Sequence, residues 1–173
     1  MNVKLINNNR GISILEVIVA ILIIAMGMVG VLSLVIQNVQ AQYIDKNVLI
    51  ASGLAQEGLE LVRNIRDLNW LTPNKIWNQD IVGDGTYAID YGRNIINAND
   101  VDNANDVDNA RLYIDSSGFY THTATAAPTN FYRLITVVDH PAEGYVDIKC
   151  AIRWTQGAQN HDYVAETYLY DWR

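Results

Sequence analysis

The sequence predicts an α+β fold, one long N-terminal helix packed on a C-terminal antiparallel sheet, and two observations predict it. From residue 12 to about residue 68 the apolar pattern is helical, first greasy all round and then on one stripe. From Trp70 onward the period changes to two, with Gly, Asp, Asn and Ser clusters between short alternating runs. Four or five short strands after a single long helix suit an antiparallel sheet that covers the helix stripe.

The stretch from Arg10 to Gln37 organises the rest. It reads Arg-Gly-Ile-Ser-Ile-Leu-Glu and then a near-continuous apolar run from Val17 to Ile36. About 20 residues at ~1.5 Å each give the ~30 Å of a hydrocarbon core, so the run is long enough to cross a bilayer as a helix. Glu16 stands at its start. An acid there is costly, up to ~2.5–3.5 kcal/mol at a bilayer centre, and an intramembrane ionisable group marks a function. A cut between Gly11 and Ile12 would create an α-amine one helical turn from Glu16. That amine, its own or a packed neighbour's, is the partner the carboxylate needs.

Residues Arg10-Gly11-Ile12-Ser13-Ile14-Leu15-Glu16-Val17 resemble the processing motif of type IV pilins and type II secretion pseudopilins. The resemblance implies a bacterial chain whose short basic leader ends in Gly11. A prepilin peptidase would cut before Ile12 and methylate the new amine. It further implies that Glu16 registers one subunit against the next and that the inner-membrane assembly machinery extracts the subunit into a filament. Two features depart from the family. Ile12 stands where Phe or Met is usual, and the mid-helix Pro is absent, leaving Gly27, Gly30 and Ser33 as the weak points.

Two other readings compete. A secretory signal peptide has an apolar region of ~7–15 residues and then a small-residue cleavage site. Here the run is longer, carries an acid and continues as helix from Gln37 to Tyr43. A single-span anchor carrying an extracytoplasmic binding domain explains the length but gives Glu16 no purpose.

The net charge is −7. Lys4 and Arg10 lie in the leader, which has no acid, so the mature side chains carry −9. An acidic ectodomain argues against nucleic acid and anionic lipid as its partners. The basic leader places the amino end in the cytosol and the bulk outside, first as a single-pass membrane protein and then on a filament at the cell surface. Cys150 is alone, so no intrachain disulfide forms. Many type IV pilins carry one near the C-terminus, and this sheet must hold by packing.

In order, residues 1–11 form the leader, 12–36 the membrane and assembly half of the helix, 37–69 its amphipathic half and 70–173 a β-rich head. Ile50, Leu54, Gly58, Leu61, Ile65 and Leu68 share one helix face. Ser52, Gln56, Arg63 and Asp67 lie opposite, with Glu60–Arg63 and Arg63–Asp67 as neighbour pairs of opposite sign. A helix from Ile12 to Leu68 would be roughly 85 Å long. Pro73 ends it. Strands are expected around Tyr87–Tyr91, Phe131–Val138, Val146–Trp154 and Tyr163–Trp172, with a short hairpin from Leu112–Ile114 through Asp115–Gly118 to Phe119–Tyr120. The clearest is Val146–Trp154, with Val146, Ile148, Cys150, Ile152 and Trp154 on one face and Asp147, Lys149 and Arg153 on the other.

Catalytic and cofactor motifs do not stand out. His122, His140 and His161 are scattered and read as surface or turn residues, and Cys150 reads as a small core hydrophobe. There is no G-x-S-x-G, Walker loop or HExxH, so neither an enzyme nor a cofactor is expected. The one insertion is a doubled hexapeptide in the loop at residues 97–108, which offers Asp100, Asp102, Asp106 and Asp108 as hard oxygen ligands. The spacing misses the EF-hand pattern, because Ala104 and Ala110 stand where a ligand should and no Glu closes the loop. Two repeats cannot bury a core either, so a solvated loop is the expectation. Thermal melts with calcium and with chelator should therefore agree. A rise of several degrees with calcium would make the repeat a site.

Overall fold

The computed structural model describes residue 11 and residues 13–79, 81, 83–92, 95–97, 110–124 and 126–172, with only the backbone at 95–97. The chain divides into two compact units, Met1–Ile44 and Asp45–Arg173. One helix, α1 (Ile14–Leu71), supplies residues to both.

In the first unit α1 is apolar on every side. Each large apolar residue from Ile14 to Ile36 is exposed, from Val17 at 45% to Ile14 at 80%. By length and composition this helix can cross a membrane. Near the end of the apolar run the Gln37 side-chain amide donates to Ser33 Oγ at 3.3 Å, one turn back, so these polar groups satisfy each other along the helix.

In the second unit the rest of α1 lies on a seven-stranded antiparallel sheet made of β1 (Gly85–Ile89), β2 (Ile95–Asn97), β3 (Arg111–Ile114), β4 (Tyr120–Thr121), β5 (Ala127–His140), β6 (Tyr145–Gln156) and β7 (Gln159–Tyr170). β5 is the trunk. β6 runs along one of its edges from Phe131↔Trp154 to His140↔Tyr145. Its other edge is shared in tandem, with β3 against the first half and β1 against the second. β2 then pairs with β1, β4 with β3, and β7 with β6. The strands are more numerous than the four or five expected, and the last three are long, at 14, 12 and 12 residues. The β3–β4 turn forms where the sequence indicates. Asp115 Oδ1 accepts from the amides of Ser117 at 2.8 Å and Phe119 at 2.9 Å, with Gly118 at φ +85°.

The core lies between the helix and the inner face of the sheet. Phe131, Ile135, Val137, Val146, Ile148, Cys150, Ile152 and Trp154 meet Ala51, Leu54, Ala55, Val62 and Ile65. The buried helix face therefore centres on Ala51, Leu54, Ala55, Gly58, Val62 and Ile65, with Asn69 at its end. This is rotated from the stripe that the larger side chains suggest, and Leu68 stands at its edge, 36% exposed. Small residues set the centre because the sheet approaches the backbone there. A Cβ on Gly58 would lie 2.6 Å from Cys150 Sγ and 3.3 Å from Arg133 Cδ. On the outer flank Glu60 pairs with Arg63 as expected, while Asp67 is held by Arg66 at 2.9 Å rather than by Arg63. Helix α1 ends before Pro73, where the Thr72 amide bonds to Asn69 O at 3.2 Å and Asn69 Nδ2 reaches Trp77 O at 3.0 Å.

Gly58→Ala tests the close approach. The gain in helix propensity is at most ~1 kcal/mol, and overpacking costs ~1–3 kcal/mol, so the variant should be less stable by about 1–2 kcal/mol in denaturant unfolding. Adding Cys150→Ala removes the clashing sulfur, and the double variant should recover stability relative to the sum of the singles. Strict additivity would mean that the sulfur does not set the spacing.

Candidate functional site

The residues singled out at the N-terminus lie where the helix begins. Gly11 is exposed, with open space around its Cα. Ile12 lies outside the described residues. Ser13 precedes the helix, and its carbonyl accepts the amides of Glu16 at 3.0 Å and Val17 at 3.2 Å. Ser13 thus occupies the N-cap position, and Ser13-Ile14-Leu15-Glu16 has the spacing of a capping box. Glu16 falls in the first turn, where the unpaired amides and the helix dipole favour an anion. It is exposed, and no described side chain pairs with it. The arrangement is an accessible Gly backbone, then a capped helix start with a carboxylate, then an apolar cylinder. Residues 6–32 match the family model of the prokaryotic N-terminal methylation motif.

This chain carries a prepilin-type methylation motif. Its long apolar helix and α+β head make it type IV pilin-like, and the motif marks it for processing by a prepilin peptidase. The apolar helix fits a membrane-anchored protein. No curated protein and no solved structure matches the chain.

The other candidates distribute differently. Asp100, Asp102, Asp106 and Asp108 lie outside the described residues. Among the described residues no group of three or more His, Cys, Asp and Glu side chains is placed to hold a metal ion. Cys150 is fully buried, as its place on the apolar face of β6 suggests, and burial pushes its thiol up to about 12. It is inert as a nucleophile at neutral pH. His161 stacks on Trp154 and His140 on Tyr145, both partly covered. An open hollow of about 590 Å³ lies along Glu57, Glu60, Leu61, Asn64, Leu68 and Tyr91. Its lining sets no nucleophile beside a base.

His122 departs from the expectation. It is not a surface residue: its side chain is 1% exposed, and Nδ1 contacts Asp90 Oδ1. Asp90 Oδ1 also accepts the His122 amide at 2.9 Å, and Oδ2 accepts the Thr121 hydroxyl at 3.0 Å. Asp90 follows β1 directly and Thr121 closes β4, so the cluster fastens the end of β1 to the β3–β4 hairpin. Its members are 31 and 32 residues apart in sequence, and no motif announces them.

Arg133 is a second buried charge. Its parity with Phe131 and Ile135 puts it on the inner face, where it is fully buried. There Nη2 donates to Ile89 O at 2.8 Å, and Nη1 lies 3.2 Å from Glu57 Oε1 on the helix. The alternation of β5 contained this signal, since it places a charge among core residues.

Burial alone would raise the Asp90 carboxyl, but the hydrogen bonds and charge of His122, with the Thr121 hydroxyl, outweigh it and hold the group below the ordinary carboxylate value. A carboxyl whose folded value is depressed contributes stability that is fully present above its unfolded value of ~3.9 and is lost as pH falls through the folded value. Asp90→Asn should therefore be less stable than wild type at neutral pH, with the gap closing below pH ~4. Denaturant unfolding across pH 2–7 reads this, and a gap that stays constant would mean that the bonds act without the charge.

Proposed function

We propose that this chain is a structural subunit, a minor pilin or a secretion pseudopilin, of a type IV pilus or type II secretion-like filament. It has no enzymatic role in this reading. Prepilin peptidase cuts between Gly11 and Ile12 and methylates the amine of Ile12. The subunit waits in the inner membrane as a single-span protein, with its amino end cytosolic and its head extracytoplasmic. The assembly machinery then moves it into a filament whose core is a bundle of α1 helices from pilin-like subunits. One observation carries the reading: a helix stretch with exposed apolar side chains on every side begins with an exposed carboxylate that no described residue pairs. Lipid tails and neighbouring helices are equally dry, so the same surface serves both states.

The carboxylate separates this reading from a plain anchor. Near the cytosolic interface Glu16 can reach water or headgroups, so the monomer loses little without it. In a bundle core it is tolerable only when paired, and the amine of Ile12 on an adjacent subunit is the partner. Glu16→Ala should leave the chain inserted and cleaved but deplete it from sheared filaments. The stranded amine costs ~3–5 kcal/mol, the penalty for breaking one half of a buried pair. Equal recovery of variant and wild type from filaments, relative to the membrane fraction, would support an anchor without a filament role.

A further inference from the structure

Strand β7 forms one margin of the sheet. It pairs with β6 over its whole length, from Gln156↔Gln159 to Tyr145↔Tyr170, without a register shift. Its other edge pairs with no described residue. The β6–β7 hairpin turns through Gly157 and Ala158, with Gly157 at φ +62°. The pair that closes a two-residue loop exchanges both hydrogen bonds, and bonded and non-bonded pairs alternate from there. The amides and carbonyls of Asn160, Asp162, Val164, Glu166, Tyr168 and Tyr170 must then point away from β6, onto the open edge.

Sheet proteins blunt such an edge with charged side chains, above all Lys, or with Pro, a bulge, an inward-pointing charge or a short strand. β7 has only two acids of that set, Asp162 and Glu166. It is 12 residues long, contains no Pro, Gly, Lys or Arg, and directs Tyr163, Ala165, Thr167 and Leu169 inward. Past β7, Trp172 meets Trp70 edge to face, ring centroids 4.5 Å apart. An edge left this regular is a template for another strand.

The charges say what kind of strand. The side chains beside the open backbone are Asp162, Val164, Glu166, Tyr168 and Tyr170, all exposed. From β6, Arg153 reaches Asp162 at 2.8 Å and Lys149 reaches Glu166 at 3.5 Å, so each acid is flanked by a base on one side only. A second copy joining through its own β7 would bring two more carboxylates and no base. We propose that the open edge of β7 docks an extended, basic strand of another protein. That strand sets Lys or Arg against Asp162 and Glu166 and an apolar residue against Val164, since cross-strand pairs of opposite charge and of apolar groups stabilise a sheet. The proposal does not depend on the filament reading.

Amide exchange of the full chain in detergent, read residue by residue by NMR, tests it. The probe is the peptide Thr-Lys-Thr-Val-Thr-Lys-Thr-Val-Thr, and the control replaces both Lys by Glu. Without peptide, the odd-numbered amides from His161 to Leu169 should be protected and the even-numbered ones from Asp162 to Tyr170 should exchange freely. The Lys peptide should slow the even-numbered set at least about tenfold, and the Glu peptide should not. Val164→Pro removes one outward donor and keeps the surface charge and the β6 ladder. It should abolish the effect while the odd-numbered amides stay protected. Val164→Lys, a natural edge blocker, serves as the second variant and should do the same. Even-numbered amides already slow without peptide would overturn the proposal: at any protein concentration the chain covers its own edge, and only at high concentration a second copy does. It would also fail if the Lys peptide protects nothing, if the Glu peptide protects equally, or if both variants still respond.

Discussion

From Ile14 to Ile36 the chain presents apolar side chains in every direction, and each of the large ones is exposed. Each is worth ~1.5–3 kcal/mol when removed from water, so the stretch is held in dry surroundings whatever else the protein does. Only a helix satisfies its own backbone there, and no strand or turn interrupts α1 between Ile14 and Ile36. It also makes Glu16 meaningful. A carboxylate at the mouth of an apolar cylinder costs little beside water and much inside a bundle, so in the filament we propose it would distinguish a stored subunit from an assembled one.

The second unit answers a different problem with the same helix. Here α1 is one layer of a two-layer core, and with a single cysteine no disulfide fastens it. Close packing does the fastening. Gly58 lets the backbone approach Cys150, and Arg133 reaches across to Glu57 while it donates to the end of β1. Arg133 is fully buried and its charge needs a partner, so this ion pair with the half-exposed Glu57 restricts how the helix can lie on the sheet. The Asp90–His122 cluster does the same for the tandem strands on the far edge of β5, where β1 and β3 would otherwise be held by short ladders.

The sequence shows the helix, the strand from Val146 to Trp154 and the Asp115–Gly118 turn plainly, because periodicity and turn chemistry are local. The helix face was legible only within a few tens of degrees. Large side chains draw the eye toward Leu61 and Leu68, while the true centre is marked by Ala51, Ala55 and Gly58, small because the sheet comes close. The tandem division of the β5 edge was not legible, since strand pairing depends on contacts far apart in sequence. His122 was misread for the same reason: its partner Asp90 lies 32 residues away, and a lone histidine carries no sign of burial. At the N-terminus the motif was complete in the sequence, and the structure adds the Ser13 cap and the exposure of Glu16.

The role proposed for Glu16 rests on the mature chain beginning one turn before it. Intact-mass analysis of the chain extracted from membranes of its own host, compared with a Gly11→Val variant, measures that directly. The wild-type mass should begin at Ile12 and carry one added methyl group, and the variant should keep the leader, because a side chain at Gly11 blocks the peptidase. A wild-type chain that retains residues 1–11, or one cut after the apolar run near Ala41, would contradict it.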